Sequence, residues 1–247
     1  MKLTVVGCGD AFGSGGRLQT CYHVEHDDHQ FLIDCGATAL IGLNRQGLDP
    51  NGVETIFISH LHGDHFAGLV WWLLHAQHIA KRKHPLAIVG PPGIEQRFKA
   101  AAEILFPGST AVSLRFEMTF QEMFKEQPLA VGPVTVTAYE VSHPSGAPSY
   151  ALRFALGKRT LSFTGDSEWV DALVPAGRDA DLYIMECYAP SGPTRYHMTW
   201  KTIEAKLPEI GAKRILLTHM STPMLEAAAT VDRKDVIIAE DGLVLRI

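Results

Sequence analysis

The sequence predicts an α+β protein in which two β-sheets pack together and helices cover their outer faces, giving four αββα layers. Short runs rich in β-branched and aromatic residues, typical of strands, occur in both halves of the chain. Segments with a helical spacing of apolar residues lie between these runs. No Pro-, Gly- or Ser-rich linker and no internal repeat is visible, so we expect a single domain over residues 1–247.

The first part of the chain predicts four strands and two helices. The strands are the apolar runs LTVV, TCYHV, FLID and ETIFIS. A short helix is predicted over residues 37–46, where apolar residues share one side and Gly47 ends the pattern. A longer helix is predicted over residues 66–82, because its apolar face ends in a basic run and cations suit a helix C-terminus.

The remaining elements alternate between strands and helices. Strands are predicted over residues 86–89, 134–142, 150–156, 160–164, 182–185, 214–217 and 236–239. Helices are predicted over residues 94–105, 200–207 and 222–230.

The composition is that of a soluble globular protein. Of the 247 residues 46% are hydrophobic and 20% are charged, which excludes a disordered or collagen-like chain. The net charge of −5 opposes non-specific binding of nucleic acid. The longest apolar run, residues 69–74, is too short to cross a bilayer, and no signal-peptide core is visible, so we expect a cytoplasmic protein without membrane contact. Cys8, Cys21, Cys35 and Cys187 lack paired spacing, which argues against a zinc ribbon.

The strongest chemical signal is the hexapeptide HLHGDH, which begins at His60 directly after the predicted strand ETIFIS. Side chains alternate along an extended segment, so His60 and His62 point to the same side and both imidazoles can reach one ion. Gly63 lets the chain turn, so that Asp64 and His65 face a neighbouring position. Imidazole and carboxylate ligands suit zinc, manganese or iron. The motif therefore predicts a metal site.

HLHGDH resembles the HxHxDH signature of the metallo-β-lactamase-fold hydrolases. Members of that superfamily use three further ligands at the ends of strands, and His143, Asp166 and His219 stand at matching positions in the same order. The resemblance implies two divalent metal ions, with zinc as the expected ion and manganese or iron as alternatives. It also implies how the ligands divide: His60, His62 and His143 for one ion, Asp64, His65 and His219 for the other, and Asp166 as the bridge.

Several further segments are similar to ribonuclease Z and related phosphodiesterases, and together they span nearly the whole chain. They are GCGDAFGSGGRLQTC, VGPPGIEQRF, MECY, HMT and LLTHMST. By this resemblance Glu186 and His197 form a pair in which the glutamate orients the ring and the imidazolium protonates the leaving oxygen. A hydroxide shared by the two ions would attack phosphorus, with Asp64 steering it as well as binding metal.

One departure from that branch bears on the substrate. Many ribonuclease Z enzymes carry a long arm that grips tRNA between the third histidine and the bridging aspartate, whereas here only the 22 residues 144–165 lie there. We therefore expect a phosphodiesterase that acts on a small phosphodiester or nucleotide, with RNA less favoured. The resemblance also implies a homodimer, since related proteins are often dimers.

Three alternatives to this function stay open. The first is a ribonuclease Z-type tRNA 3′-endonuclease whose RNA-binding surface comes from a partner chain. The second is a hydrolase of another ester class, such as a sulfate ester, a lactone or a thioester. The third and least favoured is a metal-binding sensor without turnover.

Overall fold

The computed structural model describes residues 1–247 and contains two seven-stranded sheets with helices on their outer faces. The predicted four-layer α+β arrangement is therefore confirmed. The first sheet is formed by β1 (Lys2–Gly7), β2 (Cys21–His26), β3 (His29–Ile33), β4 (Thr55–Phe57), β5 (Leu86–Gly90) and β6 (Met118–Glu122). The second sheet is formed by β7 (Leu129–Val131), β8 (Val134–Val141), β9 (Ser149–Leu156), β10 (Arg159–Phe163), β11 (Leu182–Glu186), β12 (Ile215–Thr218) and β13 (Val236–Ile238). A last strand, β14 (Val244–Arg246), returns to the first sheet beside β1.

Each sheet combines an antiparallel part with a parallel part. In the first sheet the order is β14-β1-β2-β3-β4-β5-β6, antiparallel as far as β3 and parallel from β3 to β6. In the second the order is β13-β12-β11-β10-β9-β8-β7, antiparallel from β7 to β10 and parallel from β10 to β13. The carboxyl ends of neighbouring parallel strands lie at one edge of a sheet, which is where ligand sites form in such folds.

The helices divide between the two outer faces. They are α1 (Ala39–Arg45), α2 (Gly63–Phe66), α3 (Gly68–Leu74), α4 (Ile94–Leu105), α5 (Leu173–Gly177), α6 (Trp200–Ile210) and α7 (Thr222–Ala227). Apolar side chains of α1, α3 and α4 pack on the first sheet, and those of α5, α6 and α7 pack on the second. None of these helices combines the length and the apolar character that a membrane span requires.

The central strands are buried on both faces, because side chains alternate between the core of the sandwich and the helical layer. On β4, Phe57 faces the core between the sheets and Ile56 packs with the helices. Phe57 meets Phe31 edge-on at 5.5 Å between ring centroids and Phe154 of the opposite sheet at 5.1 Å. The contact with Phe154 packs the two sheets against each other.

The predicted range of the second helix, residues 66–82, is wrong. α3 continues into one π-helical turn, His75–Ile79, and Lys81 then leaves the helical region with a φ of 50°. Arg82 does not cap a helix, because its guanidinium is buried and donates four hydrogen bonds to backbone carbonyls. The acceptors are the carbonyl oxygens of Asn51, Val53, His84 and Pro85, at 2.6 to 2.9 Å.

Three strands and one helix are absent from the sequence prediction. β6, β7 and β14 are all edge strands. An edge strand buries few side chains, so its apolar pattern is weak, and two of the three residues of β14 are exposed. α5 has only five residues, too few for a helical period to be visible. The predicted helix over residues 222–230 is present as α7 followed by a 3₁₀ turn, Ala228–Thr230.

Candidate metal centre

All seven side chains predicted as metal ligands meet in one place, in the segments that follow the strands of both sheets. His60, His62, Asp64 and His65 follow β4, whereas His143, Asp166 and His219 follow β8, β10 and β12. The chain turns sharply within the first of these segments. The backbone of His62 is still extended, and α2 begins at the next residue, Gly63.

The first group of ligands consists of His60, His62 and His143. One ring nitrogen from each lies within 4.8 Å of the others. His143 Nε2 and His62 Nδ1 are 2.9 Å apart, and His143 Nδ1 is turned away to donate to the carbonyl of Tyr196 at 2.9 Å. Because Nδ1 carries the hydrogen, the lone pair of His143 lies on Nε2, beside His62 Nδ1, where an ion could bind.

The second group consists of Asp64, His65, Asp166 and His219, all four of them buried, with their ligand atoms within 4.8 Å of one another. Asp64 Oδ2 lies 3.2 Å from His65 Nε2 and 3.2 Å from His219 Nε2. Two adjacent ligand groups of this kind are the arrangement that dinuclear hydrolase sites use.

Asp166 is the residue shared by the two groups. Its Oδ2 atom is 3.4 Å from His65 Nε2 and 3.3 Å from His219 Nε2 in the second group. The same oxygen is 3.9 Å from His60 Nε2 and 3.9 Å from His143 Nε2 in the first. The carboxylate therefore stands between the two sets of imidazoles.

Three ligand atoms are buried without any hydrogen-bond partner: His60 Nε2, His65 Nε2 and Asp166 Oδ1. Buried polar atoms are nearly always paired, because an unpaired one costs free energy. Nitrogen and carboxylate oxygen donors left free in this way match the ligand preferences of zinc and similar divalent ions. The residues present therefore fit two divalent ions.

The electrostatics of the two groups differ. Burial, together with the neighbouring His65, holds the pKa of His60 well below its ordinary value, so its ring is neutral with a lone pair to offer. Burial opposes the charge of His219, but Asp166 and the hydrogen bond to Asp64 outweigh it and raise the pKa of His219 to about 9. In the metal-free protein the carboxylate-rich group thus holds protons, which a bound cation would replace.

A carboxylate–imidazole pair lies beside the ligands, formed by Glu186 and His197. The buried Glu186 accepts hydrogen bonds from His197 Nδ1 at 3.0 Å and from the backbone N–H of Ser167. The His197 ring stacks on Tyr188, at 4.7 Å between ring centroids, and lies nearly parallel to the His219 ring, at 5.8 Å. One nitrogen of His197 lies within 4.8 Å of ligand atoms of His143 and Asp166. The ring is therefore held in a fixed orientation next to the metal ligands.

Five of the seven candidate ligands line a cavity of about 360 Å³: His62, Asp64, His143, Asp166 and His219. This volume lies within the range of roughly 300–1,000 Å³ that is usual for small-molecule sites. The loop from Asp10 to Phe12 and the side chain of Tyr188 complete the wall of the cavity.

A protein-family model described as anti-Pycsar protein Apyc1 matches residues 1–240. The chain belongs to this family. The probable metallo-hydrolase YhfI of Bacillus subtilis is 32% identical, over 99% of this chain and 99% of its own length. The crystal structure of YhfI, a metallo-β-lactamase fold protein, matches with a TM-score of 0.80 and 27% identity over 99% of both chains.

Ribonuclease Z proteins are also similar to this Apyc1-family chain. The ribonuclease Z of Methanosarcina acetivorans is 25% identical over 100% of this chain and 98% of its own length. The structure of the short form of human tRNase Z matches with a TM-score of 0.82 and 25% identity, over 100% of this chain and 99% of that one. The Apyc1-family chain is thus a ribonuclease Z-like member of the metallo-β-lactamase superfamily and a metal-dependent hydrolase, as its motifs predicted.

Asp34 is a residue of the site in this Apyc1-family protein that the sequence analysis did not identify. It follows β3 and is fully buried. Its Oδ2 accepts from His65 Nδ1 at 2.6 Å and from Ser59 Oγ at 2.8 Å, and its Oδ1 accepts from Ser59 N at 2.7 Å. Ser59 Oγ in turn lies 3.0 Å from His60 Nδ1.

Asp34 therefore orients one histidine of each ligand group, directly for His65 and through Ser59 for His60. Both rings donate from Nδ1 and turn Nε2 toward the metal site. The sequence signal for this role was the position of Asp34 at the end of the strand FLID, one strand away from the metal-binding hexapeptide.

Proposed function

We propose that the Apyc1-family chain is a dinuclear metal-dependent phosphodiesterase that acts on a small phosphodiester of the nucleotide class, such as a cyclic nucleotide. The observation that carries this proposal is the position of Asp166 Oδ2, within 3.3 to 3.9 Å of imidazole nitrogens from both ligand groups. A carboxylate oxygen in that place supports two ions held close together, which is the arrangement suited to phosphoryl transfer.

The predicted division of ligands is the one that the distances support. His60, His62 and His143 would hold one ion, Asp64, His65 and His219 the other, and Asp166 would bridge them. When bound, such a pair of ions polarises phosphoryl oxygens and lowers the pKa of a coordinated water. We propose zinc as the ion, with manganese or iron as alternatives, because mixed imidazole and carboxylate ligands suit all three.

Asp64 would orient the attacking water, and His197 would supply the proton to the leaving group. Burial opposes ionisation of Asp64, but His65 and a hydrogen bond from His219 hold the pKa of its carboxyl well below the ordinary value, so it stays an anion that can accept a hydrogen bond from the attacking water. Burial likewise opposes charge on His197, but the Glu186 carboxylate raises its pKa. A protonated His197 next to the site is suited to donate to the departing oxygen.

Three observations support a small substrate over tRNA. The residues between the third histidine and the bridging aspartate are taken up by the β9–β10 hairpin, which leaves no room for an arm. The alignment with the M. acetivorans ribonuclease Z spans 306 positions, so that relative carries residues this chain lacks. The net charge of −5 also gives no general attraction for a polyanion.

Ribonuclease Z activity is the second candidate function, because relatives of that name align over the whole chain. It would require an RNA-binding surface from a second copy or a partner. The homodimer stays a prediction, which light scattering on the purified protein would check. We also propose a cytoplasmic location, which is supported by the four cysteines, all of them buried free thiols.

The test is the metal content of the purified protein together with its hydrolysis of bis-p-nitrophenyl phosphate, 3′,5′-cyclic nucleotides and a tRNA precursor. Each substrate is measured before chelation, after chelation and after zinc or manganese is restored. We expect two metals per chain and chelator-sensitive hydrolysis of the small phosphodiesters. Two metals with no phosphodiester turnover would favour another ester class, and cleavage of the tRNA precursor alone would favour the second candidate. A protein that binds no metal would refute the proposal.

A further inference from the structure

We propose that Phe12 is the platform on which the base of a nucleotide substrate stacks at the mouth of the metal pocket. This inference rests on the proposed function and adds a recognition site to it. The ligand class it specifies is a nucleoside phosphate, with the phosphate at the metal ligands and the base against the Phe12 ring.

The side chain of Phe12 is 82% exposed, although it belongs to the wall of a pocket whose other residues are mainly polar. Apart from Phe12, the apolar residues of this wall are Ala11 and Tyr188, and one face of the Tyr188 ring is covered by its stack on His197. An aromatic ring left in water beside a polar site has both faces available to a ligand. Phe12 is therefore the aromatic surface that a substrate reaching out of the pocket would meet.

The loop that carries Phe12 is held by hydrogen bonds within the protein. The buried carboxylate of Asp10 accepts from the backbone N–H of Phe12 at 3.2 Å, from that of Ser14 at 2.9 Å and from Ser14 Oγ at 2.7 Å. Gln19 donates to the carbonyl of Ala11 at 3.3 Å. The exposed ring thus stands on a rigid base, and little conformational entropy is lost when a ligand stacks on it.

Stacking on a phenylalanine ring depends on the presence of a base more than on its identity, because every base has a π-face. We therefore expect Phe12 to separate phosphates that carry a base from phosphates that do not. Different bases are expected to bind with similar affinity.

The experiment compares a nucleotide with a sugar phosphate in which a C1 hydroxyl replaces the base. Titration calorimetry on the zinc-loaded protein measures the dissociation constants of cytidine 5′-monophosphate and ribose 5-phosphate. The variants are Phe12→Ala, which removes the ring, and Phe12→Trp, which keeps an aromatic face. Phe124→Ala is the matched control, because Phe124 is also an exposed phenylalanine, at 46%, but lies outside the pocket.

Phe12→Ala should weaken binding of the nucleotide by about 5- to 100-fold, the effect of losing one stacked base. Binding of ribose 5-phosphate should change by less than about twofold. Phe12→Trp should keep the preference for the nucleotide, and Phe124→Ala should match the parent protein. These results would support the platform.

Two results would overturn it. The first is a Phe12→Ala variant in which the dissociation constants of both ligands change equally or not at all. This holds also if light scattering shows that the variant has a different oligomeric state but still prefers the nucleotide. The second is a parent protein that binds the nucleotide no more tightly than ribose 5-phosphate. The proposed reaction fails separately: a Phe12-dependent preference for the nucleotide in a protein that hydrolyses no phosphodiester would refute the reaction and leave the platform standing.

Discussion

Replacing Asp34 by asparagine tests whether this buried carboxylate sets the orientation of the metal ligands. The backbone of Asp34 has a φ of 58°, a conformation that asparagine tolerates as well as aspartate does, so the substitution adds little strain. Its Oδ2 accepts two hydrogen bonds, from His65 Nδ1 at 2.6 Å and from Ser59 Oγ at 2.8 Å. An amide nitrogen in place of that oxygen would face two donors.

The expected loss follows from the bond to His65. A hydrogen bond to a charged group contributes about 1.5–3 kcal/mol. With asparagine, His65 is expected to accept at Nδ1 and move its proton to Nε2, the atom that lies 3.4 Å from the shared Asp166 carboxylate. At about 1.4 kcal/mol per factor of ten, metal affinity should fall by about 10- to 100-fold.

The assay is competition for zinc against a chromophoric chelator, with metal content measured in parallel. Asp181→Asn is the matched control, because Asp181 is also a buried carboxylate that accepts from a backbone N–H, that of Thr160 at 2.8 Å, but lies away from the pocket. Asp181→Asn should bind zinc as the parent protein does. Zinc affinity of Asp34→Asn within a factor of about three of the parent would refute the reasoning.

Three further predictions concern other residues. His197→Ala should keep two metals yet lose about 10²–10⁴ in turnover on alkyl phosphodiesters and far less on nitrophenyl esters; equal loss on both in steady-state assays would contradict a proton-donor role. Arg82→Met leaves four carbonyls without their donor and should lower the free energy of unfolding in urea by about 3 kcal/mol or more, whereas a loss under about 1 kcal/mol would contradict this role of Arg82. Burial opposes ionisation of Asp181, but hydrogen bonds from Lys213 and Thr160 lower its pKa in the folded protein. The ionised carboxylate therefore stabilises the fold above the ordinary pKa of aspartate, and this stabilisation is lost as the pH falls through the lowered pKa. Urea unfolding of the metal-free protein should therefore show Asp181→Asn to be destabilised at neutral pH and equal to the parent at about pH 2, and an equal deficit at both would contradict it.

The seven candidate ligands could be selected from sequence because four of them share one hexapeptide after a clear strand. The other three follow strands at positions that match the ligand order of the superfamily. HLHGDH is compact enough to stand out alone, and His143, Asp166 and His219 gain their meaning from their order along the chain. Parallel strands bring such positions to a common edge whatever the details of packing. That geometric rule is why local signals were sufficient here.

The roles of Asp34 and Arg82 could not be predicted in the same way. The position of Asp34 at a strand end suggests a place near the site, but its partners Ser59 and His65 belong to a different segment, and the sequence does not show which side chains it contacts. Arg82 stands in a basic run that suits a helix end, yet its carbonyl acceptors include Asn51, 31 residues earlier. Hydrogen bonds across such separations depend on tertiary packing, which sequence periodicity does not describe.

The distribution of the ligands between the two sheets gives the metal centre a mechanical role. Each ligand group takes residues from the segment after β4 in the first sheet and from segments after strands of the second sheet. Ions held there would act as cross-links across the sandwich and would stabilise only the form in which the sheets are docked. Chelation should therefore weaken the packing between the two sheets before it affects the hydrogen bonding within either sheet. The metal content of the protein would then indicate whether the two sheets have packed together.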